Sequence, residues 1–173
     1  MNSTTKMEVW LRGPIEGVPP TLQPVAHALL QALEELGELR NKVPNQILWE
    51  RPHGIASIGF HMQHIKGILD RLFTYSMGGS LSEAQFQYLK EEGQELYPDC
   101  NYNSLYKSVA EQIQISISHL KTVNTSNLTE VCYVGRSMVP STQLGLLFHA
   151  AEHTQRHLGQ LLVTTRILLA KME

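Results

Sequence analysis

The sequence predicts an all-α protein, a four-helix bundle with long interhelix connections and one short extra helix. Three observations carry this expectation. Four long stretches repeat apolar residues at helical spacing and leave a polar outer side. Clusters of Pro, Gly, Asn and Ser break the chain between them. The one segment of β-like composition, EVCYVGRSMV, is a single short piece, not enough for a sheet. Helices striped in this way must bury their apolar faces on one another. At 173 residues the chain can bury a substantial core and is expected to be a single domain, 1–173, with an irregular N-terminal segment at 1–19.

The elements follow in order. Pro14, Gly17, Pro19 and Pro20 argue against regular structure at the start. The first helix is expected from Thr21, its N-cap, to Lys42, before Pro44; Pro24 is tolerated in the first turn. Leu22, Ala26, Leu29, Leu33 and Leu36 form its stripe, with Glu34, Glu35, Glu38 and Arg40 outside. NQILWERPHG is a loop, anchored on the core by Trp49. The second helix runs from Ser57 to Ser76 and stops at Gly78-Gly79. On a helical wheel, Phe60, His61, Met62, His64, Ile65 and Ile68 fall in its broad inner sector, and Gly59, Gln63, Lys66, Gly67 and Asp70 in the outer one.

SLSEAQFQYLKEEGQEL carries a Ser80/Ser82 capping signal and predicts the short helix. YPDCNYN is a turn-rich break. The third long helix spans Ser104 to Val123, with Leu105, Val109, Gln112, Ile113, Ser116 and Leu120 on one stripe. Thr125–Ser141 is a connector. The last helix starts at 140–142, with Ser141 as N-cap, and ends near Lys171. Long connections leave open whether the bundle is a simple up-down meander.

Composition narrows the function. Fourteen basic residues against sixteen acidic give a formal charge of −2, and no basic stretch recurs, which argues against nucleic acid as partner. No apolar run reaches the ~18 residues of a membrane span, and MNSTTKMEVWLRGP lacks the apolar core of a signal peptide. Cys100 and Cys132 make no disulfide framework. The expectation is a cytoplasmic protein with both thiols free and no membrane contact.

The chemistry lies in the histidines. GLLFHAAEHTQRHLGQ places His149, His153 and His157 at intervals of four on the last helix, along an arc that borders its apolar sector. Imidazoles at i and i+4 stand ~5–6 Å apart at Cβ and can converge on one cation. Either the 149/153 pair or the 153/157 pair meets that condition. The outer two lie about two turns apart, so a third ligand should come from another helix. The second helix offers His64 and His61. Burying several imidazoles without partners costs roughly 1–3 kcal/mol per unsatisfied group, a cost that a shared cation removes. The competing reading is a wet channel of hydrogen-bonded histidines.

SIGFHMQHIKGILDRL and LFHAAEHTQRHLGQLL resemble the DinB-like (DinB/YfiT-like) metalloenzyme family, and WERPHG resembles that family's approach to its second helix. The likeness covers most of the chain in helix order, but its specific motifs sit in these two stretches. It implies a four-helix bundle with a histidine triad site: one ligand from the second helix after a Ser-Ile/Leu start, and two from an H-x-x-x-H pair just before Gly-Gln in the last. Carried over, the metal ligands are His64, His153 and His157. Periodicity ranks His61 as inward as His64; only the resemblance prefers His64. His61 and His149 are then pocket-lining groups or groups that fix a ligand's tautomer. Gln160, on the histidine arc, and Tyr75, on the arc of His64 and Ser57, are further candidates for the same cavity. Where family members often carry His just before and Arg just after the last ligand, this chain has Arg156 and Leu158.

Three neutral imidazoles leave a coordination position open, as catalytic sites do. The donor set suits a divalent ion, zinc or nickel first, with iron and copper also compatible. In HTQRH, Thr154 stands where HExxH has its general base, and Glu152 points toward the polar side as a solvated carboxylate. The resemblance implies two activities: transferase or isomerase chemistry with a low-molecular-weight thiol such as bacillithiol or mycothiol, and metal-dependent hydrolase chemistry. The first reading is a metal-dependent transferase of small thiols or electrophiles acting on a small-molecule substrate. The alternatives are a hydrolase and a stress-linked metal-binding protein without turnover. Family members are often dimers, so the resemblance leaves a homodimer open, although the sequence has no interface signature.

Overall fold

Five α-helices and one β-hairpin, with short 3-10 turns, account for the regular structure among the described residues, 6–98 and 100–172 of a computed structural model. The helices are α1 (Gln23–Glu38), α2 (Ile58–Ser76), α3 (Glu83–Glu91), α4 (Tyr102–Leu120) and α5 (Gln143–Ala170). The hairpin pairs β1 (Val131–Val134) with β2 (Val139–Thr142), Val131 opposite Thr142 and Val134 opposite Val139. This is the all-α helical architecture that the periodicity predicts.

Side-chain caps fix several helix starts. Ser57 accepts the Phe60 N–H at 3.1 Å. Ser82 forms a reciprocal capping box with Gln85, and Asn101 does so with Ser104, which sets the start of α4 at Tyr102 and not at Ser104. Thr142, not Ser141, caps α5, taking the Gly145 N–H at 3.0 Å. At α1 the expected cap at Thr21 is replaced by a 3-10 turn over Pro20–Leu22, and the helix ends at Glu38, short of Lys42.

The four long helices pack in the order α1–α5–α2–α4 around the bundle, so α1 and α2 lie on a diagonal. A simple up-down meander would make consecutive helices neighbours, and α1 and α2 are not. Leu29 and Leu36 from α1, Met62, Ile65 and Leu69 from α2, Ile113 from α4 and Leu147 and Leu158 from α5 are buried in the shared core. The loop before α2 is fixed by Trp49, whose ring lies where a Cβ on Gly59 would stand 2.4 Å away.

Three expectations are corrected. EVCYVGRSMV does enter a sheet: Val131–Val134 pairs with Val139–Thr142, whose residues 140–142 are the expected start of the last helix. Gly135 at φ 67° and Met138 at φ 49° turn the chain between the strands. The N-terminal segment is not wholly irregular: Val9–Arg12 forms a 3-10 turn held to α1 by Val9 N–H on Gln31 Oε1 (2.9 Å) and by Arg12 on Glu34 (2.6 and 2.9 Å); residues 1–5 of that segment lie outside the described residues. The outer sector of α2 is not solvated. Gln63 and Arg71 are buried on it beneath α3 and the turn that follows. Both cysteines are free thiols, and no described helix is long and apolar enough to cross a membrane.

Candidate metal centre

The largest interhelix contact, α2 on α5, brings the two histidine stretches face to face. One donor nitrogen each from His64, His153 and His157 lie within 4.8 Å of one another. His64 Nε2 is 2.9 Å from His153 Nε2, and the His64 and His157 ring centroids are 4.4 Å apart. Two nitrogens ~2.0–2.1 Å from a tetrahedral zinc stand about 3.3 Å from each other. The cluster is therefore on the scale of a single-ion site, with small adjustments of the rings.

His64 is aimed by a residue that the sequence pattern does not single out. Glu92, on the turn after α3, accepts from His64 Nδ1 at 2.6 Å through Oε2 and from Arg71 Nη1 at 2.7 Å through Oε1. Its side chain is 4% exposed. With the Nδ1 proton committed to Glu92, Nε2 of a neutral His64 presents a lone pair toward His153. The same turn is tied down by Gln63, which accepts the Gly93 N–H (2.6 Å) and donates to the Gln94 carbonyl (2.8 Å). Gly67 makes the room: a Cβ there would stand 2.3 Å from Glu92 Oε1 and 2.6 Å from Arg71 Nη1. Phe60 stacks on His64 at 5.3 Å, with an interplanar angle of 12°.

His61 is buried and meets the cluster from the other side, its Nδ1 2.9 Å from His157 Nδ1. One of these nitrogens must carry the proton and the other the lone pair, so the tautomers of His61 and His157 are coupled. Burial first, and the neighbouring His64 next, hold His61 and His153 down to about 4 and His157 down to about 3. All three are neutral at pH 7, the form in which imidazole binds metal. His153 Nδ1 is buried without a hydrogen-bond partner. Imidazole nitrogens that converge in this way fit a divalent cation.

The other predicted residues divide. His149 is half exposed and faces Glu152, Nδ1 to Oε2 3.3 Å. Glu152 is a surface carboxylate as expected; it binds Arg156 through Oε1 and, with His149 and His153, makes a second close group. Gln160 and His61 line one cavity of about 720 Å³ with Ile55, Arg156 and Val163. Tyr75 is placed elsewhere. It lines a cavity of about 370 Å³ with Phe86, Cys132 and Tyr133, because eleven residues along α2 carry it about 16 Å from His64. Thr154 is fully buried and donates to the Ala150 carbonyl at 2.8 Å.

Glu92 and Arg71 are the neighbours of the histidine cluster that the sequence reading did not name. The available signal was Gln63, Gly67 and Arg71 at intervals of four on α2, a row with two side chains that bind at a distance and a gap between them. No family model matches the chain, and no curated protein matches it. A histidine triad in a mostly helical protein is compatible with a DinB-like fold.

Proposed function

We propose that His64, His153 and His157 hold a divalent metal ion, zinc or nickel, in a DinB-like domain that spans the chain, and that the protein is a metal-dependent transferase of small thiols or electrophiles. The observation that carries the reading is the convergence of three donor nitrogens within 4.8 Å across the α2–α5 interface. Bound there, the ion supplies Lewis acidity, which activates a thiol or a water at neutral pH.

The chain's own residues prepare that chemistry. Glu92 takes the Nδ1 proton of His64 and frees its Nε2. His61 couples its tautomer to that of His157. Burial keeps His153 and His157 neutral, so a cation meets lone pairs there rather than protons. Phe60 stacks on one face of His64. The cavity beside His61, with apolar Ile55 and Val163 and polar Gln160, has the size and mixed lining of a small-molecule site.

The test is a turnover panel on metal-loaded protein. Conjugation of a model electrophile that requires both metal and a low-molecular-weight thiol supports the transferase. Ester or amide hydrolysis without thiol assigns a hydrolase instead. Tightly held metal with neither activity leaves a stress-linked metal-binding role.

A further inference from the structure

Beside the triad, the geometry points to an outer cation position formed by His149, Glu152 and His153, from which a metal ion passes to the triad through the ligand they share. The inference rests on the triad being a metal site.

One donor atom each from His149, Glu152 and His153 lie within 4.8 Å of one another, the same closeness as in the triad. The three stand in H-x-x-E-H order on α5, a spacing that puts both imidazoles and the carboxylate on one side of a helix. The carboxylate is already oriented. Arg156 Nε holds Glu152 Oε1 at 3.0 Å, which leaves Oε2 facing His149 Nδ1 at 3.3 Å. His149 and Glu152 are 47% and 36% exposed at the side chain, so this end of the cluster opens to solvent, whereas the triad is set deeper between helices.

His153 joins the two groups. Its Nε2 lies 2.9 Å from His64 Nε2, and this one nitrogen serves both positions. An ion held by His149, Glu152 and His153 needs only to exchange two ligands, keeping His153, to reach His64 and His157. Sheltered metal sites require such an entry path, and a negatively charged carboxylate at the mouth concentrates cations there.

A station on the path lowers the barrier in both directions. Its loss slows loading and release equally and leaves the equilibrium affinity of the triad unchanged. Cobalt(II) is the probe, followed by its absorption in stopped flow, with release measured by excess chelator. His149→Ala and Glu152→Gln should each slow uptake and release by about tenfold, the scale on which local charge and supporting groups act on ion capture. Their final stoichiometry should match the wild type. In the His64→Ala protein, an equilibrium titration should show weak residual cobalt binding that adding Glu152→Gln abolishes.

The outcomes separate the two readings. Wild-type protein that binds no cobalt overturns both. If the wild type binds but His149→Ala loads at the wild-type rate, the outer position falls and the triad stands. Slowing by Glu152→Gln alone also overturns it, since that is charge steering without a ligand role for His149. Residual binding in His64→Ala that survives Glu152→Gln does the same.

Discussion

His64 Nδ1 lies 2.6 Å from Glu92 Oε2, a contact that ties a histidine on α2 to the turn after α3, twenty-eight positions along the chain. Glu92 in turn is the only acidic partner that the described residues give the buried Arg71. One carboxylate thus serves a buried guanidinium and a partly buried imidazole.

Replacing Glu92 with Gln removes the charge that holds His64 in its tautomer. Metal affinity should fall by about 10–100-fold, the usual cost of losing a group that orients a ligand. Competition against a chromophoric chelator measures this. Glu92→Ala should also destabilise the metal-free protein by about 3–5 kcal/mol in urea unfolding, because Arg71 is left buried and unpaired. Unchanged affinity in Glu92→Gln contradicts the orienting role.

Glycines on the two site helices should respond in opposite directions. Gly67→Ala drives a Cβ into Glu92 and Arg71. It should destabilise by ~1–3 kcal/mol of overpacking, less the ~1 kcal/mol that alanine gains in helix propensity, and should weaken metal binding by displacing Glu92 from His64. Gly159→Ala on α5 meets nothing within 4 Å and should stabilise by up to ~1 kcal/mol. Urea unfolding of the two variants, measured together, is the check.

Metal-free protein should lose stability as pH falls from about 6.5 toward 4. His61, His153 and His157 stay neutral in the native state down to about 4, 4 and 3, whereas unfolded histidines take up protons near 6.5. Over that window the unfolded state binds more protons, so unfolding becomes easier with each step down in pH. Glu34, lowered to about 2 chiefly by its hydrogen bond with Arg12, acts in another window: its contribution is present above the ordinary carboxylate pKa and is lost as pH falls toward 2. Chemical unfolding of chelator-treated protein at pH 7.5 and 5 should therefore differ. Equal stability at both contradicts the buried neutral histidines.

The long helices were legible because their stripes and caps are local signals. Ser57, Ser82 and the apolar rows of α2 and α5 stand within one or two turns of what they control. The convergence of His64 with His153 and His157 was legible only in part. Spacing supplied the helices and left His61 equal to His64; the resemblance chose between them, and the contact with Glu92 now distinguishes their surroundings. Glu92 itself was hidden, since a carboxylate in KEEGQEL reads as solvated until α3 is laid on α2. The hairpin was missed for a related reason: β1 signals a strand, but β2 contains Pro140 and runs straight into a helix cap. Tyr75 shared an angle with His64 on the wheel, but a wheel discards distance along the axis.

The central claim is that His64, His153 and His157 bind one metal ion together. Elemental analysis of purified, chelator-washed protein tests it most directly, on the wild type and on single alanine variants at positions 64, 153, 157 and 149. The account predicts one zinc or nickel ion per chain in the wild type and in His149→Ala, and none retained in the other three. Full retention of metal by His64→Ala would contradict it.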